Sequence, residues 1–529
     1  MKRLVAIVSL SLMACTAQHE ANAPASASAI APASGRCAAL VGRDFGPGIA
    51  ITSAVENSAA APGTVQNGPA KLAAGLPAYC NVSGVIDERK GAGGKPYGIR
   101  FALALPDRWN GRFLLMGGGG LNGSVAPPLG PVAAGTVPAL ARGFAVVSHD
   151  SGHQGAVFDD SFSRDQRAAL DFAEASVRIV TLAAKAITSG YYGAPIAHSY
   201  MTGCSTGGRE GMLAIERYPE LFDGVVIGAP AMRTGDSNLA IAKAAVDFNQ
   251  AAPRDKGGLP IVSQVFPPPV RATILKGMLD QCDKLDGLAD GMIENVAACH
   301  FQPSKLICRK GETAGCLTPA VATALEKGFQ PPRDAAGNAL YLPYPYDTGI
   351  VSTGPGLPGF LPTGVPGVFG PVSRDLTIDV DKRIAAVRAD AMQRLTDTNY
   401  WTNLNTFLDH GGKTLFYHGV SDFWFSPLAT WDWWQRAAQT NGAAFTDASR
   451  FYMVPGMLHC QGGNSFDRFD LLSKMVDWVE KGEAPQSVIA SRADSSATRP
   501  LCPYPSHAHY TGGDATKAES FTCEGPEGG

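Results

Sequence analysis

The sequence lacks three features that would each assign a class of protein. No apolar run beyond the N-terminus reaches the roughly 18–20 residues that a membrane-spanning helix needs. The formal net charge of −3 does not favour a basic surface of the kind that binds nucleic acid. No Cys-x-x-Cys pair occurs among the 11 cysteines, which argues against a zinc site. We therefore expect neither a membrane-spanning body nor a nucleic-acid partner.

The remaining composition is that of a globular protein. Hydrophobic residues make up 45% of the 529 residues and charged residues 17%. A chain of this length predicts one large elaborated domain or two units, because single small cores stop growing well below it.

The N-terminus has the pattern of an export signal. Lys2 and Arg3 precede an apolar run at residues 4–13, and a stretch rich in alanine, serine and proline follows. We predict an export signal within residues 1–23 and a flexible linker at 24–35.

Two processing routes remain open for this signal. Residues 12–15 resemble a bacterial lipoprotein signal, which would end at residue 14 and leave Cys15 lipidated. Ala21-Asn22-Ala23 offers an ordinary signal-peptidase site instead. The protein is thus expected to be periplasmic, an outer-membrane lipoprotein or secreted, with contact to a membrane only through a lipid at Cys15.

Cysteine usage also favours export. With Cys15 set aside, ten cysteines remain, an even number that suits an oxidising compartment. Spacing alone does not determine their connectivity. Three close pairs look like local disulfides: Cys282/Cys299, Cys308/Cys316 and Cys502/Cys523.

Strand and helix patterns alternate in two parts of the chain. Short apolar runs predict strands at residues 112–116, 144–148, 199–202, 224–227 and 413–418. Apolar residues at helical spacing predict helices at residues 164–189, 209–218 and 466–481. This alternation predicts the α/β class, with a parallel sheet covered on both faces.

The region between these two parts differs in character. Residues 232–396 contain four cysteines, an acidic loop and a proline- and glycine-rich stretch at 347–371. We predict an α/β core in residues 36–231 and 397–529, interrupted by a large inserted lid at 232–396.

A candidate nucleophile lies in Gly203-Cys204-Ser205-Thr206-Gly207. This Gly-x-Ser-x-Gly motif stands between a predicted strand and a predicted helix, as in the nucleophile elbow of α/β-hydrolases. The glycines suit a tight turn, and the helix N-terminus favours developing negative charge. Ser205 is therefore predicted to be a catalytic nucleophile.

A serine nucleophile needs a base, and the base needs an acid to orient it. In α/β-hydrolases these residues follow along the chain in the order Ser, acid, His. His459 lies in a loop before the last long helix, where such a fold places its histidine. Asp422 follows the predicted strand 413–418. Asp432 is a rival acid within a predicted helix, and His153 is a rival base that precedes the serine. We predict Ser205, Asp422 and His459 as the triad.

Two cysteines flank this predicted triad. Cys204 directly precedes the nucleophile and Cys460 directly follows the base. A disulfide between them would hold both catalytic loops together, provided that their Cα atoms come within about 7 Å.

At these motifs the chain resembles the tannase and feruloyl esterase family, which includes the mono(hydroxyethyl) terephthalate hydrolases. The resemblance rests on the Cys204-Ser205 pair, on His418-Gly-x-x-Asp422 and on Pro455-Gly-Met-x-His459-Cys460. It implies an α/β-hydrolase core and five disulfides: Cys37–Cys80, Cys204–Cys460, Cys282–Cys299, Cys308–Cys316 and Cys502–Cys523. The aromatic run Phe423-Trp424-Phe425 departs from the family pattern.

Acyl transfer also requires an oxyanion hole. One donor is expected to be the backbone amide of Thr206, just after the nucleophile. The other is expected from the glycine run at residues 117–120, which follows a predicted strand. Gly120 is the first choice and Gly119 the second.

An acidic loop in the lid suggests a cation site. Asp283, Asp286 and Asp290 would repel one another unless solvent or a cation separates them, and oxygen ligands suit Ca²⁺. The family resemblance implies a structural calcium bound by these side chains and by the carbonyls of Leu288 and Met292. No organic cofactor is expected.

Together these features predict a serine carboxylic ester hydrolase, and the resemblance implies feruloyl, other hydroxycinnamoyl or galloyl esters as small-molecule substrates. A mono(hydroxyethyl) terephthalate-type hydrolase is an alternative within enzymes. A non-catalytic surface-binding protein is an alternative of another class. Six aromatic residues of the lid either stack on the acyl ring of the substrate or pack within the lid: Phe329, Tyr341, Tyr344, Tyr346, Phe360 and Phe369.

Overall fold

The computed structural model describes residues 35–67, 70–353, 359–366 and 371–525. Residues 1–34, which include the predicted export signal and nearly all of the predicted linker, lie outside the described residues. Phe369 also lies outside them.

The described residues form sixteen β-strands and twelve α-helices joined by short helical turns. The strands are β1 Ile49–Asn57, β2 Gln66–Asn67, β3 Ala70–Lys71, β4 Tyr79–Lys90, β5 Pro96–Pro106, β6 Arg112–Met116, β7 Ala145–His149, β8 His198–Cys204, β9 Gly224–Gly228, β10 Lys413–Gly419, β11 Ser449–Val454, β12 Arg468–Phe469, β13 Val488–Ser491, β14 Thr498–Leu501, β15 His507–Tyr510 and β16 Phe521–Glu524. The helices are α1 Gln166–Leu170, α2 Ser176–Tyr192, α3 Thr206–Arg217, α4 Thr234–Ala251, α5 Pro268–Cys282, α6 Pro319–Gly328, α7 Val380–Ala389, α8 Ala391–Thr396, α9 Asn405–Asp409, α10 Pro427–Asn441, α11 Ala443–Thr446 and α12 Leu471–Lys481.

A nine-stranded sheet forms the centre of the described structure, in the order β1-β4-β5-β7-β6-β8-β9-β10-β11. From β7 to β11 neighbouring strands are parallel, whereas β1, β4 and β5 add an antiparallel edge. The α/β class is confirmed. The five predicted strands occur in the parallel part of the sheet, with ends shifted by up to two residues, whereas the parallel strand β11 was not predicted.

The antiparallel edge is a correction to the expected pattern of strand–helix alternation. A short turn joins β4 and β5, which are long strands of 12 and 11 residues, and the connection from β1 to β4 contains the two-residue strands β2 and β3. Antiparallel neighbours need only a tight turn, so no helix separates these strands in the sequence.

Alternating side chains of the parallel strands enter two cores on opposite faces of the sheet. On β6, Phe113 and Leu115 pack into the core that includes α2, α3 and α10. Leu114 and Met116 pack into the core that includes α12. The helix predicted at residues 164–189 is interrupted by a π-helical turn at Asp171–Ala175 between α1 and α2.

The chain between β9 and β10 contributes no strand to the central sheet within the residues described there. It includes α4 to α8 and has a hydrophobic core of its own, in which Phe248, Leu325 and Phe329 are buried. This insertion lies beside the carboxyl ends of the parallel strands, where open α/β sheets place their ligand crevice. None of the helices in the described parts of the chain combines the length and apolar character needed to cross a membrane.

Candidate active site

Ser205 lies in a strained turn between β8 and α3. Its φ of 64° and ψ of −121° are rare for a residue with a side chain and match the strained strand-to-helix turn of a nucleophile elbow. The turn is possible because glycines allow backbones to touch. A Cβ atom on Gly203 or on Gly208 would collide with the backbone of Gly207 or of Gly228.

His459 and Asp422 form a buried hydrogen-bonded pair. Nδ1 of His459 lies 2.6 Å from Oδ2 of Asp422, and both side chains are almost fully buried. Nε2 of His459 has no hydrogen-bond partner among the described residues. Because the carboxylate occupies the Nδ1 side, Nε2 is left as the atom that can accept a proton.

A second histidine, His418 at the end of β10, also contacts the acid. Its Nε2 lies 3.2 Å from Oδ2 of Asp422, and its Nδ1 lies 3.0 Å from the hydroxyl of Thr430. The sequence motif His418-Gly-x-x-Asp422 contains this contact, but sequence reasoning gave His418 no role at the site. It contacts the same carboxylate oxygen as His459.

The carboxylate of Asp422 stays ionised although it is buried. Burial alone would raise the pKa of Asp422, but the charge of His459 and the hydrogen bonds from both histidines lower it well below its usual range. The amides of Trp424 and Phe425 also donate to Oδ1, at 2.8 and 3.2 Å. A charged acid orients His459 and stabilises its protonated form.

Cys204 and Cys460 form a disulfide with a Cα–Cα distance of 6.0 Å across 256 residues of sequence. The bond joins the residue before Ser205 to the residue after His459. Cys460 has a φ of 65°, so the backbone of the histidine loop turns sharply at this bond. The nucleophile and base loops are therefore covalently connected, and both side chains line one cavity.

The other expected disulfides are confirmed. The ten cysteines among the described residues pair as Cys37–Cys80, Cys204–Cys460, Cys282–Cys299, Cys308–Cys316 and Cys502–Cys523. Five such bonds are typical of a protein that matures in an oxidising compartment.

Three backbone amides with no acceptor in the described structure belong to residues that line the same cavity as Ser205. The backbone amides of Thr206, Gly119 and Gly120 have no acceptor within the described parts of the chain, and all three residues line the cavity. Gly120 has a φ of +58°, which suits glycine, whereas a Cβ on Gly119 would meet open space. The predicted oxyanion residues thus lie together beside Ser205, and the choice between the two glycines stays a prediction.

The cavity above Ser205 has a volume of about 1230 Å³. Its aromatic wall comes from two places in the chain: Phe158, Phe162 and Phe172 before the nucleophile, and Phe423, Trp424 and Phe425 after the acid. The ring of Trp424 lies 4.6 Å from the ring of His459. Sequence reasoning did not assign these rings to the site, although the unusual 423–425 run pointed to a changed pocket.

The lid aromatics have a different place from this wall. The ring of Phe329 stacks on that of Tyr346, with ring centroids 4.3 Å apart. The ring centroid of Phe360 lies 4.5 Å from that of Phe329 and 4.6 Å from that of Tyr344. These residues and Tyr341 belong to the lid core and do not line the cavity. The lid instead reaches the cavity through α4 and α8, with residues such as Asn238, Ile241 and Gln393.

The two rival site residues lie elsewhere. Asp432 is paired with Arg436 at 2.9 Å on α10 and is 43% exposed. His153 stacks on Phe162 at 3.8 Å, and burial lowers its pKa to about 4. Neither residue contacts the Ser205 cavity.

The acidic loop predicted to bind calcium folds around its own backbone. Asp283 accepts hydrogen bonds from the amides of Asp290 and Gly291, and Asp286 accepts them from Leu288 and Glu294. Burial raises the pKa of Asp286 to about 6, and the neighbouring carboxylates add to the rise.

A further contact of this loop bears on the expected ligand set. Asp290 forms an ion pair with Arg499 at 2.6 Å. Across the described residues, no group of three or more His, Cys, Asp or Glu side chains is arranged to hold a metal ion. The donor chemistry fits a hard cation, but the side chains of Asp283, Asp286 and Asp290 do not converge as ligands. Calcium binding, with the carbonyls of Leu288 and Met292, stays a prediction.

Comparison with known proteins gives relatives over most of the chain. The profile of "Tannase and feruloyl esterase" matches residues 80–357 and 371–524. The "Mono(2-hydroxyethyl) terephthalate hydrolase" of Piscinibacter sakaiensis is 35% identical over 522 residues, which cover 86% of each chain. The "Probable feruloyl esterase" of Arthroderma benhamiae is 30% identical over 463 residues, covering 80% of this chain and 81% of its own.

Solved structures show the same fold. Feruloyl esterase B from Aspergillus oryzae matches with a TM-score of 0.73 and 24% identity, covering 92% of this chain and 99% of its own. Tannin acyl hydrolase from Aspergillus niger matches with a TM-score of 0.67 and 21% identity, covering 91% and 92%. These likenesses confirm the α/β-hydrolase fold. The chain belongs to the tannase and feruloyl esterase family of carboxylic ester hydrolases.

Proposed function

We propose that this protein hydrolyses esters of uncharged aromatic acids through an acyl-enzyme on Ser205. The observation that carries this proposal is the buried His459–Asp422 pair, which leaves Nε2 of His459 unpartnered in the cavity that Ser205 also lines. This arrangement supplies a base for a serine that would otherwise be a weak nucleophile.

The first half of the reaction forms the acyl-enzyme. Nε2 of His459 takes the proton of the Ser205 hydroxyl as its oxygen attacks the ester carbonyl. The amides of Thr206 and of Gly120 or Gly119 donate to the oxyanion, since they have no acceptor among the described residues. Asp422 stabilises the charged imidazole, which then protonates the departing alcohol.

Water completes the reaction by the same route. His459 takes a proton from water, the hydroxide attacks the acyl carbonyl, and Ser205 leaves with the proton returned from His459. The aromatic wall around His459 offers an apolar surface for the acyl ring. In this wall the ring centroids of Phe158 and Trp424 lie 6.4 Å apart.

Charge within the cavity favours an uncharged acyl group. Arg209 is the only lysine or arginine among the described residues that line it, and its guanidinium donates to the carbonyls of Phe172 and Ala173. The neighbouring segments 354–358 and 367–370 contain no lysine or arginine in their sequence. Asp160 and Asp390 add negative charge to the lining. A substrate carboxylate would therefore meet no available cation among the lining residues that the structure describes.

A terephthalate half-ester is the second candidate substrate. The 35% identity to a mono(2-hydroxyethyl) terephthalate hydrolase favours it. Such a substrate carries a free carboxylate opposite the scissile ester, so the charge of the cavity separates the two candidates.

A matched pair of substrates tests this distinction. Opposite the scissile ester, dimethyl terephthalate carries a neutral methyl ester where monomethyl terephthalate carries a carboxylate. We expect kcat/KM for the neutral diester to exceed that for the anionic monoester by at least about tenfold, the size of one modest like-charge interaction. Methyl ferulate and methyl gallate should be hydrolysed too, in initial-rate assays beside p-nitrophenyl butyrate. Turnover of the butyrate alone would overturn the aromatic specificity, and preference for the monoester would favour the second candidate.

We also propose that the 283–292 loop binds a structural Ca²⁺, since burial and neighbouring carboxylates raise the pKa of both Asp283 and Asp286, and a bound cation would relieve that cost. One calcium per chain is expected by elemental analysis. EGTA is expected to lower Tm, because an ion at 100 times its Kd stabilises a fold by about 2.7 kcal/mol. Asp286→Asn should remove this sensitivity.

The matched control for calcium is Asp280→Asn. Asp280 is an exposed acid on the preceding helix, paired with Lys276 at 2.6 Å. It should leave both the metal content and the effect of EGTA unchanged. A purified protein without calcium, whose Tm is the same in EGTA and in added calcium, would contradict the proposal.

We propose export from the signal-like pattern of residues 1–23. The five disulfides support maturation outside the reducing cytoplasm. Lipidation at Cys15 or cleavage after Ala23 would then decide between an anchored and a soluble exported protein.

A further inference from the structure

We propose that Glu210, one turn into the nucleophile helix α3, is a positioning residue that sets the geometry of the oxyanion hole. This inference rests on the proposed function, because it concerns the same reaction at Ser205. Glu210 does not line the cavity, and its role is to hold the loop that carries the oxyanion amides.

In the loop after β6, residues 117–123, both the amide and the carbonyl of Gly118 form hydrogen bonds with α3. The amide of Gly118 donates to Oε2 of Glu210 at 2.8 Å. The carbonyl of Gly118 accepts from the amide of Gly207 at 2.8 Å. The hydroxyl of Thr206 donates to the carbonyl of Gly120. The free amides of Gly119 and Gly120 lie between these attachment points.

The other carboxylate oxygen holds the far end of the same loop. Oε1 of Glu210 accepts from the side chain of Asn122 at 3.2 Å and from the hydroxyl of Ser151 at 3.3 Å. The backbone amide of Asn122 also donates to the carbonyl of Gly119 within the same loop, at 2.9 Å. One carboxylate therefore connects the start of the oxyanion loop with the residue that closes it.

Glu210 is only 1% exposed, so this role is not that of a surface contact. A buried carboxylate is costly unless donors satisfy it, and here the donors are the loop itself. Nε2 of His149 also lies 3.8 Å from Oε2. Removing the carboxylate would leave the Gly118 amide without its acceptor in a packed interior, and the Asn122 side chain would keep only the hydroxyl of Ser151 as an acceptor.

The consequence concerns the transition state more than the bound substrate. Oxyanion donors act where charge develops, and they need the correct distance to the tetrahedral oxygen. Because Thr206 belongs to α3 and Gly120 to the loop, the distance between the two donors depends on how the loop is attached to the helix. Glu210 supplies a central part of that attachment.

The same helix provides a matched control. Glu216 lies six residues further along α3 and is also buried, but neither of its carboxylate oxygens has a hydrogen-bond partner among the described residues. It does not contact the oxyanion loop. Glu216→Gln therefore tests the effect of changing a buried glutamate on α3 without touching the loop.

The experiment compares Glu210→Ala, Glu210→Gln and Glu216→Gln in the full-length protein. Methyl ferulate gives kcat and KM, and ferulic acid gives the affinity for a ground-state ligand. An aryl trifluoromethyl ketone, which forms a tetrahedral oxyanion with a nucleophilic serine, gives Ki. Glu210→Ala is expected to lower kcat about 100-fold, as when an oxyanion donor is lost. Ki should rise by a similar factor, while KM and the ferulic acid affinity stay within about twofold.

Glu210→Gln is expected to retain part of the activity, because its amide oxygen can still accept from Gly118. Glu216→Gln should match the wild type in kcat and Ki. If Glu210→Ala does not fold, the Gln variant decides the question: unchanged kcat and Ki would overturn the inference. Equal losses in ground-state and tetrahedral ligand binding would also overturn it. A wild type that is not labelled by a fluorophosphonate would refute the proposed function itself, and this inference with it.

Discussion

Asp422→Asn is expected to lower kcat for an aromatic ester by about 10⁴-fold, the loss seen when a triad acid becomes an amide. Asparagine would keep the shape of the site but present an N–H or a neutral oxygen to Nδ1 of His459, which now lies 2.6 Å from a carboxylate. The histidine would then hold the wrong tautomer and its charged form would lose its counter-ion. Ser205→Ala should leave even less activity and abolish fluorophosphonate labelling.

The matched control is Asp432→Asn. Asp432 is a partly exposed acid ten residues further along the chain, paired only with Arg436 in the described structure. Its substitution should change kcat by less than twofold, since exposed ion pairs contribute little. Steady-state kinetics on methyl ferulate and labelling with a fluorophosphonate measure both effects. Activity retained by Asp422→Asn at the level of Asp432→Asn would refute the assignment of the acid.

The second large effect is expected from the double variant Cys204→Ala/Cys460→Ala. The bond holds two loops that are 256 residues apart in sequence, with Cα atoms 6.0 Å apart. Removing a native disulfide typically costs about 2–5 kcal/mol of stability. Displacement of a catalytic group by about 1 Å can lower the rate about 100-fold. We therefore expect a lower Tm together with a fall in kcat of at least about 100-fold.

The matched control for this variant is Cys308→Ala/Cys316→Ala. That disulfide closes a short loop of the lid, with a sequence separation of 8 residues, and it does not line the cavity. It should lower Tm but leave kcat near that of the wild type. Calorimetry and kinetics below both Tm values separate the two effects. A double Cys204/Cys460 variant with full kcat at such a temperature would show that packing alone positions the triad.

Strong local patterns made much of the core predictable. The strand at residues 112–116 has the bounds expected from its apolar run, because a strand buried on both faces must be apolar throughout. The position of Ser205 followed from strand, motif and helix in sequence. Asp422 followed from the predicted strand before it, which is β10 and ends at Gly419, and His459 followed from its place in a loop before the last long helix; strand β11 before that loop was not predicted.

Other features depended on contacts between distant segments. Strand β4 lies between β1 and β5, and its burial alternates only over the first six residues before three consecutive residues at 84–86 are all buried, so its sequence gave no clear alternating pattern along the whole strand. The rings that line the cavity come from loops whose path no local pattern predicts, such as Phe158 after β7 and Trp424 after β10. The contact of Glu210 with Gly118 spans 92 residues. Such a hydrogen bond is visible only after folding.

The Cys204–Cys460 bond affects how the lid of this enzyme can evolve. It closes a covalent ring whose perimeter includes the whole lid, while the hydroxyl and imidazole remain next to its point of closure. Residues added to or removed from the lid alter the circumference of that ring and the shape of the cavity roof, but not the closure point. Substrate range can thus diversify through the insertion while the chemistry below it is kept.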